Sequence, residues 1–246
     1  MNIIHLDEVN STNLYAKQNL EILSDRTIVI ADKQTNGRGR FDRTWIDLGE
    51  GNLFMTIILK PSSSFNEVYA NLTQYLSVVL VKILEEYGLS PKIKWPNDVM
   101  VNDAKISGIL SETVMQGSNF KGIVLGIGVN LNTDKGDLKQ IKERVATALN
   151  IELNREYIDK KLFTEKLLNE FFKNYEEFLK LGFSMIKKEY VQKCNFLNKE
   201  ISVQVFNKKK SGIAKRINDN GELVLEKNNI EFILTMGDIL WVKILF

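Results

Sequence analysis

The chain of 246 residues contains one cysteine, Cys194, and one histidine, His5. A lone cysteine excludes an internal disulfide, and one thiol with one imidazole excludes a Cys/His zinc centre. With no second thiol or histidine to activate it, Cys194 reads as a small, partly buried side chain rather than a nucleophile. Neither charge sign is in excess. Lys and Arg number 33 against 31 for Asp and Glu, a net of +2, too little to argue for a polyanionic partner from bulk charge. No apolar run is long enough to cross a bilayer, and residues 1–7 hold no basic segment before a long apolar stretch, so the expected location is the cytoplasm. Internal repeats, coiled-coil heptads and low-complexity segments are missing too.

What is present is a basic, glycine-opened stretch, Asn36-Gly37-Arg38-Gly39-Arg40-Phe41-Asp42-Arg43-Thr44-Trp45. Arginine forks onto oxyanions, and glycine lets backbone N–H groups approach the same oxygens. The spacing is neither that of a P-loop nor that of a dinucleotide fingerprint, so the stretch predicts anion binding without declaring a nucleotide site. Two further segments belong with it: Ser11-Thr12-Asn13, and Lys94-Trp95-Pro96-Asn97-Asp98 followed by Lys105. By itself the Ser-Thr-Asn trio reads first as a helix cap, and only second as a set of groups that hydrogen-bond a polar ring.

The length suits one large domain plus a small one. Strands are predicted over 2–6, 27–32, 53–59 and 92–95, the last stopped by Pro96. His5, in the first, is expected to be packed rather than catalytic. Helices are predicted from Ser11 through Leu23, over 67–87 with Gly88 ending it, over 137–149 and over 156–181. Residues 105–114 and 122–131 read as neighbouring strands. In the second, Ile123, Leu125, Ile127, Val129 and Leu131 share one face, while Gly122, Val124, Gly126, Gly128 and Asn130 share the other. The nearly bare face predicts a groove for a flat ligand, or equally a helix packed close against the glycines. From about residue 190 the texture changes to five short strands over 201–206, 211–217, 222–226, 230–234 and 238–242, with Asn220-Gly221 as a hairpin signal. These suggest a small barrel of the SH3 type. Lys208-Lys209-Lys210 reads as a solvated turn.

Taken together and in this order, the three motifs resemble the biotin protein ligases (biotin–acetyl-CoA-carboxylase ligases), over the whole catalytic region and more weakly over the tail. The resemblance implies an α+β fold, a mixed β-sheet flanked by helices like that of class II synthetases, over 1–189, with an SH3-like β-barrel over 190–246. It implies ligation of biotin, activated by ATP and Mg²⁺ to biotinyl-5′-AMP, to a lysine of a biotin carboxyl carrier protein. Ser11, Thr12, Asn13 and Gln34 match residues that read the ureido end of biotin. Arg38, Gly39 and Arg40 match the loop over its carboxylate and the phosphate, Lys105 matches the lysine at the reacting centre, and Gly108 should floor the pocket. Arg40 and Lys105 are the catalytic candidates. Arg40, Arg43, Trp45, Asn97, Lys105 and Asn130 are the nucleotide candidates, with Trp45 either stacking on adenine or pinning the loop. Asp98 is nominated for Mg²⁺, with a structural hydrogen bond to the Pro96 turn as the alternative. Because the chain starts directly at the catalytic region, no helix-turn-helix and no DNA partner are expected, and the protein is expected as a monomer or homodimer. One departure stands out: many members continue the loop as Gly-Arg-Gly-Arg-Arg-Gly-Arg, and Phe41 and Asp42 here remove a cation and a hinge. The rival readings are a lipoate or octanoate transfer enzyme, and a non-enzymatic nucleic-acid binder.

Overall fold

The computed structural model describes residues 2–41, 43–62, 64–141 and 145–240. In chain order the elements are β1 (Asn2–Val9), α1 (Thr12–Gln18), β2 (Thr27–Gln34), β3 (Gly37–Arg38), β4 (Thr44–Trp45) and β5 (Leu53–Leu59). Then follow α2 (Leu72–Glu86), entered through a 3-10 turn at Glu67–Asn71, and β6 (Lys92–Lys94), β7 (Asp98–Val101), β8 (Ala104–Gln116) and β9 (Asn119–Val129). Next are α3 (Leu149–Glu152), α4 (Lys160–Lys173), α5 (Tyr175–Leu181) and α6 (Phe183–Lys193). The chain continues through β10 (Glu200–Val205), β11 (Lys208–Ile217), β12 (Leu223–Lys227), β13 (Ile230–Leu234) and β14 (Asp238–Leu240).

A seven-stranded mixed sheet of order β1-β2-β5-β9-β8-β7-β6 forms the centre, parallel only where β1 meets β2. Its two faces differ as the β9 alternation demands. Ile123, Leu125, Ile127 and Val129 point into the large core with α2, α4, α5 and α6, whereas Val124 joins a smaller cluster with Ala16 and Leu20 beneath α1. The larger core is rich in rings: Tyr75 stacks on Phe178 with centroids 4.4 Å apart, and Phe171 packs on Tyr75 and Tyr175 at 5.2 and 5.3 Å. Each such buried ring contributes hydrophobic burial plus an aromatic-pair gain of about 0.5–1.5 kcal/mol. One side of the sheet is thereby fixed, and the other is left available along the rest of β9.

A second, five-stranded antiparallel sheet of order β13-β12-β11-β10-β14 is consistent with the expected SH3-like module. It docks through its hairpin tip. Trp95 Nε1 and Gln74 Nε2 both donate to the Gly221 carbonyl, at 3.0 and 2.7 Å, and Gly221 takes φ +78, a conformation glycine adopts without the steric cost of a Cβ.

Several expectations need correction. The first helix ends at Gln18 rather than Leu23, because Asn19 Nδ2 bonds the Tyr15 carbonyl and the chain turns. No single helix spans 137–149: a 3-10 turn covers Asp137–Gln140, and Lys105 exchanges backbone bonds with Val145 and Thr147 at 2.9 Å each, so pairing with β8 overrides local propensity. Residues 142–144 lie outside the described residues. The helix expected over 156–181 starts at Lys160, capped by Asp159, and breaks at Asn174. α6 covers Phe183–Lys193. Lys208, Lys209 and Lys210 are exposed as expected but belong to β11, not to a turn. His5 is not packed: half exposed, it lies 3.2 Å from Asp32, whose carboxylate Lys160 also holds at 2.7 Å. The strand expected over 238–242 is seen to Leu240, with 241 and 242 outside the described residues.

Cys194 ends α6, 9% exposed, with its thiol donating to the Tyr190 carbonyl. Burial pushes the thiol well above the ordinary cysteine range. Since the thiolate is the reactive form, Cys194 is expected to stay unmodified by a disulfide-exchange reagent at pH 8 in the folded protein and to react stoichiometrically in denaturant. Rapid labelling of the native chain would contradict this packing.

Candidate active site

Along β9 the bare face passes from α1 to the arginine loop. Register sets what lies beside it. Gly108 of β8 pairs with Gly128, and Leu110 with Gly126, so two glycines abut across neighbouring strands. The spacing from Gly126 to Asn130 is roughly 14 Å at strand rise. Above this floor lies a cavity of about 430 Å³, and every candidate residue named from the sequence lines it. Ile46, Gln140, Ile141, Ala146 and Asp238 line it as well and were not anticipated.

At one end stands the turn into α1. Ser11 caps the helix weakly, its hydroxyl accepting from Leu14 N at 3.5 Å, while also lining the cavity. Gln34 Oε1 accepts from Thr12 N at 2.8 Å. Thr56, buried on β5, donates to Asn13 Oδ1 at 2.6 Å, and Asn13 Nδ2 donates to the Leu110 carbonyl and Glu112, both at 3.2 Å. Asn13 is thus fully oriented by the protein. It also occupies the glycine gap, since a Cβ on Gly126 would fall 2.1 Å from Asn13 Oδ1. Thr56 was missed because an isolated threonine in an apolar strand carries no sequence signal.

At the other end three cations converge. Lys105 Nζ lies 2.5 Å from Asp98 Oδ1, both side chains nearly buried. Asp98 therefore holds the lysine in this arrangement. Among the described residues, the group with three potential metal ligands in reach of one another, His5, Asp7 and Asp32, lies on β1 and β2, outside this cavity. Arg40 Nη1 donates to Asn97 Oδ1 at 3.1 Å, and Asn97 Nδ2 donates to the Ile109 carbonyl at 2.6 Å, so Asn97 brackets the guanidinium to β8. Arg43 Nη1 lies 2.6 Å from Asp238 Oδ2. Burial draws the Arg40 guanidinium below its ordinary value, opposed by Asp238 and Asp98. Asn130 Nδ2 donates to the Thr147 carbonyl, tying the 145–147 segment over Lys105. Arg38 is exposed at the cavity rim.

The loop itself is a tight hairpin. β3 pairs with β4, Gly39 N donates to Arg43 O at 2.7 Å, and Phe41 takes φ +54. Asp42 lies outside the described residues. Trp45 lies flat on the bare floor: Cβ atoms on Gly128 and Gly108 would come within 2.5 and 2.8 Å of its ring, and Lys105 Nζ sits 5.3 Å from the ring centroid. Trp45 Nε1 is buried without a hydrogen-bond partner, an orphaned donor of the kind a bound acceptor would satisfy.

The arrangement is one concave site with polar hydrogen-bonding groups at one end and cations at the other, on a mixed sheet, the layout of an enzyme that brings an anion to a second ligand. Residues 5–130 match the family model described as the biotin/lipoate A/B protein ligase family. The chain is 32% identical over 203 residues to the bifunctional ligase/repressor BirA of Bacillus subtilis, covering 82% of this chain and 62% of that protein. Against the biotin–[acetyl-CoA-carboxylase] ligase of Paracoccus denitrificans it is 27% identical over 227 residues, with coverage of 89% and 92%. The biotin protein ligase of Aquifex aeolicus in complex with biotin and ATP superimposes with TM-score 0.78 at 28% identity over 97% of both chains. The protein belongs to the biotin/lipoate A/B protein ligase family.

Because the Trp45 ring occupies the space a Cβ at residue 128 would need, Gly128→Ala is expected to lift the indole into water and shift tryptophan emission to longer wavelength. In a Trp45→Phe background the same substitution should leave emission unchanged. Identical spectra for wild type and Gly128→Ala would mean that Trp45 does not rest on the sheet.

Proposed function

We infer that this protein activates biotin with ATP to biotinyl-5′-AMP and then transfers the biotinyl group to a lysine of a biotin carboxyl carrier protein, in the cytoplasm. The observation that carries the reading is the meeting, in one cavity, of the Ser11-Thr12-Asn13 and Gln34 end with Lys105, Arg40 and Arg43. In the first step a carboxylate oxygen bonds to the α-phosphorus and the bond to pyrophosphate breaks. Two anions must meet, so preorganised positive charge supplies most of what the reaction needs. Lys105 is a compact charge placed to lie between carboxylate and α-phosphate. Arg40 and Arg43 can fork onto the phosphates and the departing pyrophosphate. In the second step a carrier lysine attacks the anhydride carbonyl and AMP leaves.

The polar end favours biotin over lipoate or octanoate, because an aliphatic chain cannot use the hydrogen-bonding groups of Ser11, Thr12 and Gln34. The cations argue against a nucleic-acid binder: they lie inside a cavity and face Asp98 and Asp238 rather than forming an exposed basic stripe. Mg²⁺ takes most of its oxygens from nucleotide phosphates and water, so it enters with ATP. Nucleotide contacts from Trp45, Asn97 and Asn130, and biotin contacts from Arg38, Gly39 and Gly108, belong to the same reading.

The expected result is labelled biotinyl-AMP from biotin, ATP and Mg²⁺, followed by labelling of a carrier domain on one lysine. Activation of lipoate or octanoate in place of biotin would overturn the substrate. Lys105→Ala should slow adenylation by orders of magnitude. It should also cost about 3–5 kcal/mol of stability, because it removes the cation held against a buried carboxylate. Lys105→Ala/Asp98→Asn is expected to recover most of the stability and none of the rate. Recovery of adenylation by the double variant would assign Lys105 to folding alone.

A further inference from the structure

The loop that carries Arg40 and Arg43 is gripped by the second sheet at two points. Asp238, the first residue of β14, places Oδ2 2.6 Å from Arg43 Nη1 and Oδ1 3.6 Å from Arg40 Nη1. Arg40 Nη1 also donates to the Gly237 carbonyl at 3.1 Å. That carbonyl is fixed, because Gly237 takes φ +149 and lies so close to β10 that a Cβ would fall 2.5 Å from Val203 Cγ1. The second point is aromatic. Phe41 meets Phe206, just past the end of β10, edge to face with centroids 5.4 Å apart, while the Arg40 guanidinium lies 4.9 Å over the Phe41 ring.

Both arginines assigned above to nucleotide phosphate therefore already have an anion. We propose that Asp238 is a positioning residue that occupies, against Arg40 and Arg43, the place a phosphate would take, so that nucleotide binds by displacing a protein carboxylate and Asp238 sets nucleotide affinity. The proposal rests on the reading of Arg40 and Arg43 as phosphate ligands. Two anions competing for the same guanidinium groups are negatively coupled, and the coupling is reciprocal: whatever seats the second sheet more firmly weakens nucleotide, and nucleotide loosens β14. Asp238 lies about two hundred residues from the loop it balances.

The test uses pyrophosphate and ATP, each without biotin, titrated calorimetrically into the full chain. Asp238→Asn keeps an oxygen that can accept from Arg43 but removes the charge. It is expected to bind both anions on the order of tenfold more tightly, within the usual range of coupling between sites, and to lower the KM for ATP without raising kcat. Phe206→Ala loosens the loop without changing charge and should not tighten either anion. In the wild type, pyrophosphate should raise hydrogen exchange at residues 238–240, a readout that does not depend on how well any variant folds. Unchanged or weaker anion binding by Asp238→Asn, equal tightening by Phe206→Ala, or protection of β14 by pyrophosphate would each overturn the proposal. Because pyrophosphate has neither an adenine nor an acyl group, these results stand apart from the identity of the acid. If biotin is not activated but the anion results hold, only the substrate assignment fails.

Discussion

Three cations share one cavity, and the site depends on how their mutual repulsion is held in check. Two unit charges 4 Å apart interact by about 4 kcal/mol at the effective dielectric of a protein near its surface, so uncompensated clustering would push the loop away from β8. Asp98 answers Lys105 from within the central sheet, and Asp238 answers Arg40 and Arg43 from the second. The two carboxylates are not equivalent. Asp98 pairs with Gly108 in the β7–β8 register and moves only with the sheet, whereas Asp238 reaches the cavity from a separate sheet across a hairpin that could shift.

Space for this cluster comes from the strand register. A sheet buried on one face by the ring-rich core holds its other face rigid without side chains of its own there. Gly108 opposite Gly128 makes a gap two strands wide, which the Trp45 ring fills. Substitution at either glycine would therefore act on the loop, through Trp45, before acting on any ligand. Lys105 thus sits on a strand of the fixed floor, while Arg40 and Arg43 sit on the hairpin that covers it.

Much of this was legible from the chain. The two-residue alternation of β9 named both faces correctly, because a strand buried on one side must carry its bulk there. The arginine loop could be named from its local chemistry, the Ser-Thr-Asn turn and Lys105 through the family resemblance, and the cavity they line brings them together. Partners far apart in sequence were not legible. Asp238 looks like any strand-end carboxylate, and Thr56 like any β-branched residue, until the fold sets them against Arg43 and Asn13. The 137–149 stretch was misread for the same reason: its helical spacing was outweighed by backbone pairing with Lys105, a gain that local propensity cannot register.

Phe41 links these points. In the arginine loop this chain puts an aromatic side chain into the left-handed region, a placement that costs a non-glycine residue about 1–3 kcal/mol when the surroundings enforce it. An edge-to-face pair with Phe206 and a cation above the ring each return about 0.5–1.5 kcal/mol. The strained turn is therefore held only while the second sheet is in place. The Phe41–Phe206 contact thus ties the loop to the turn that follows β10. In this chain the second sheet and the turn beside it therefore help to order the arginine loop.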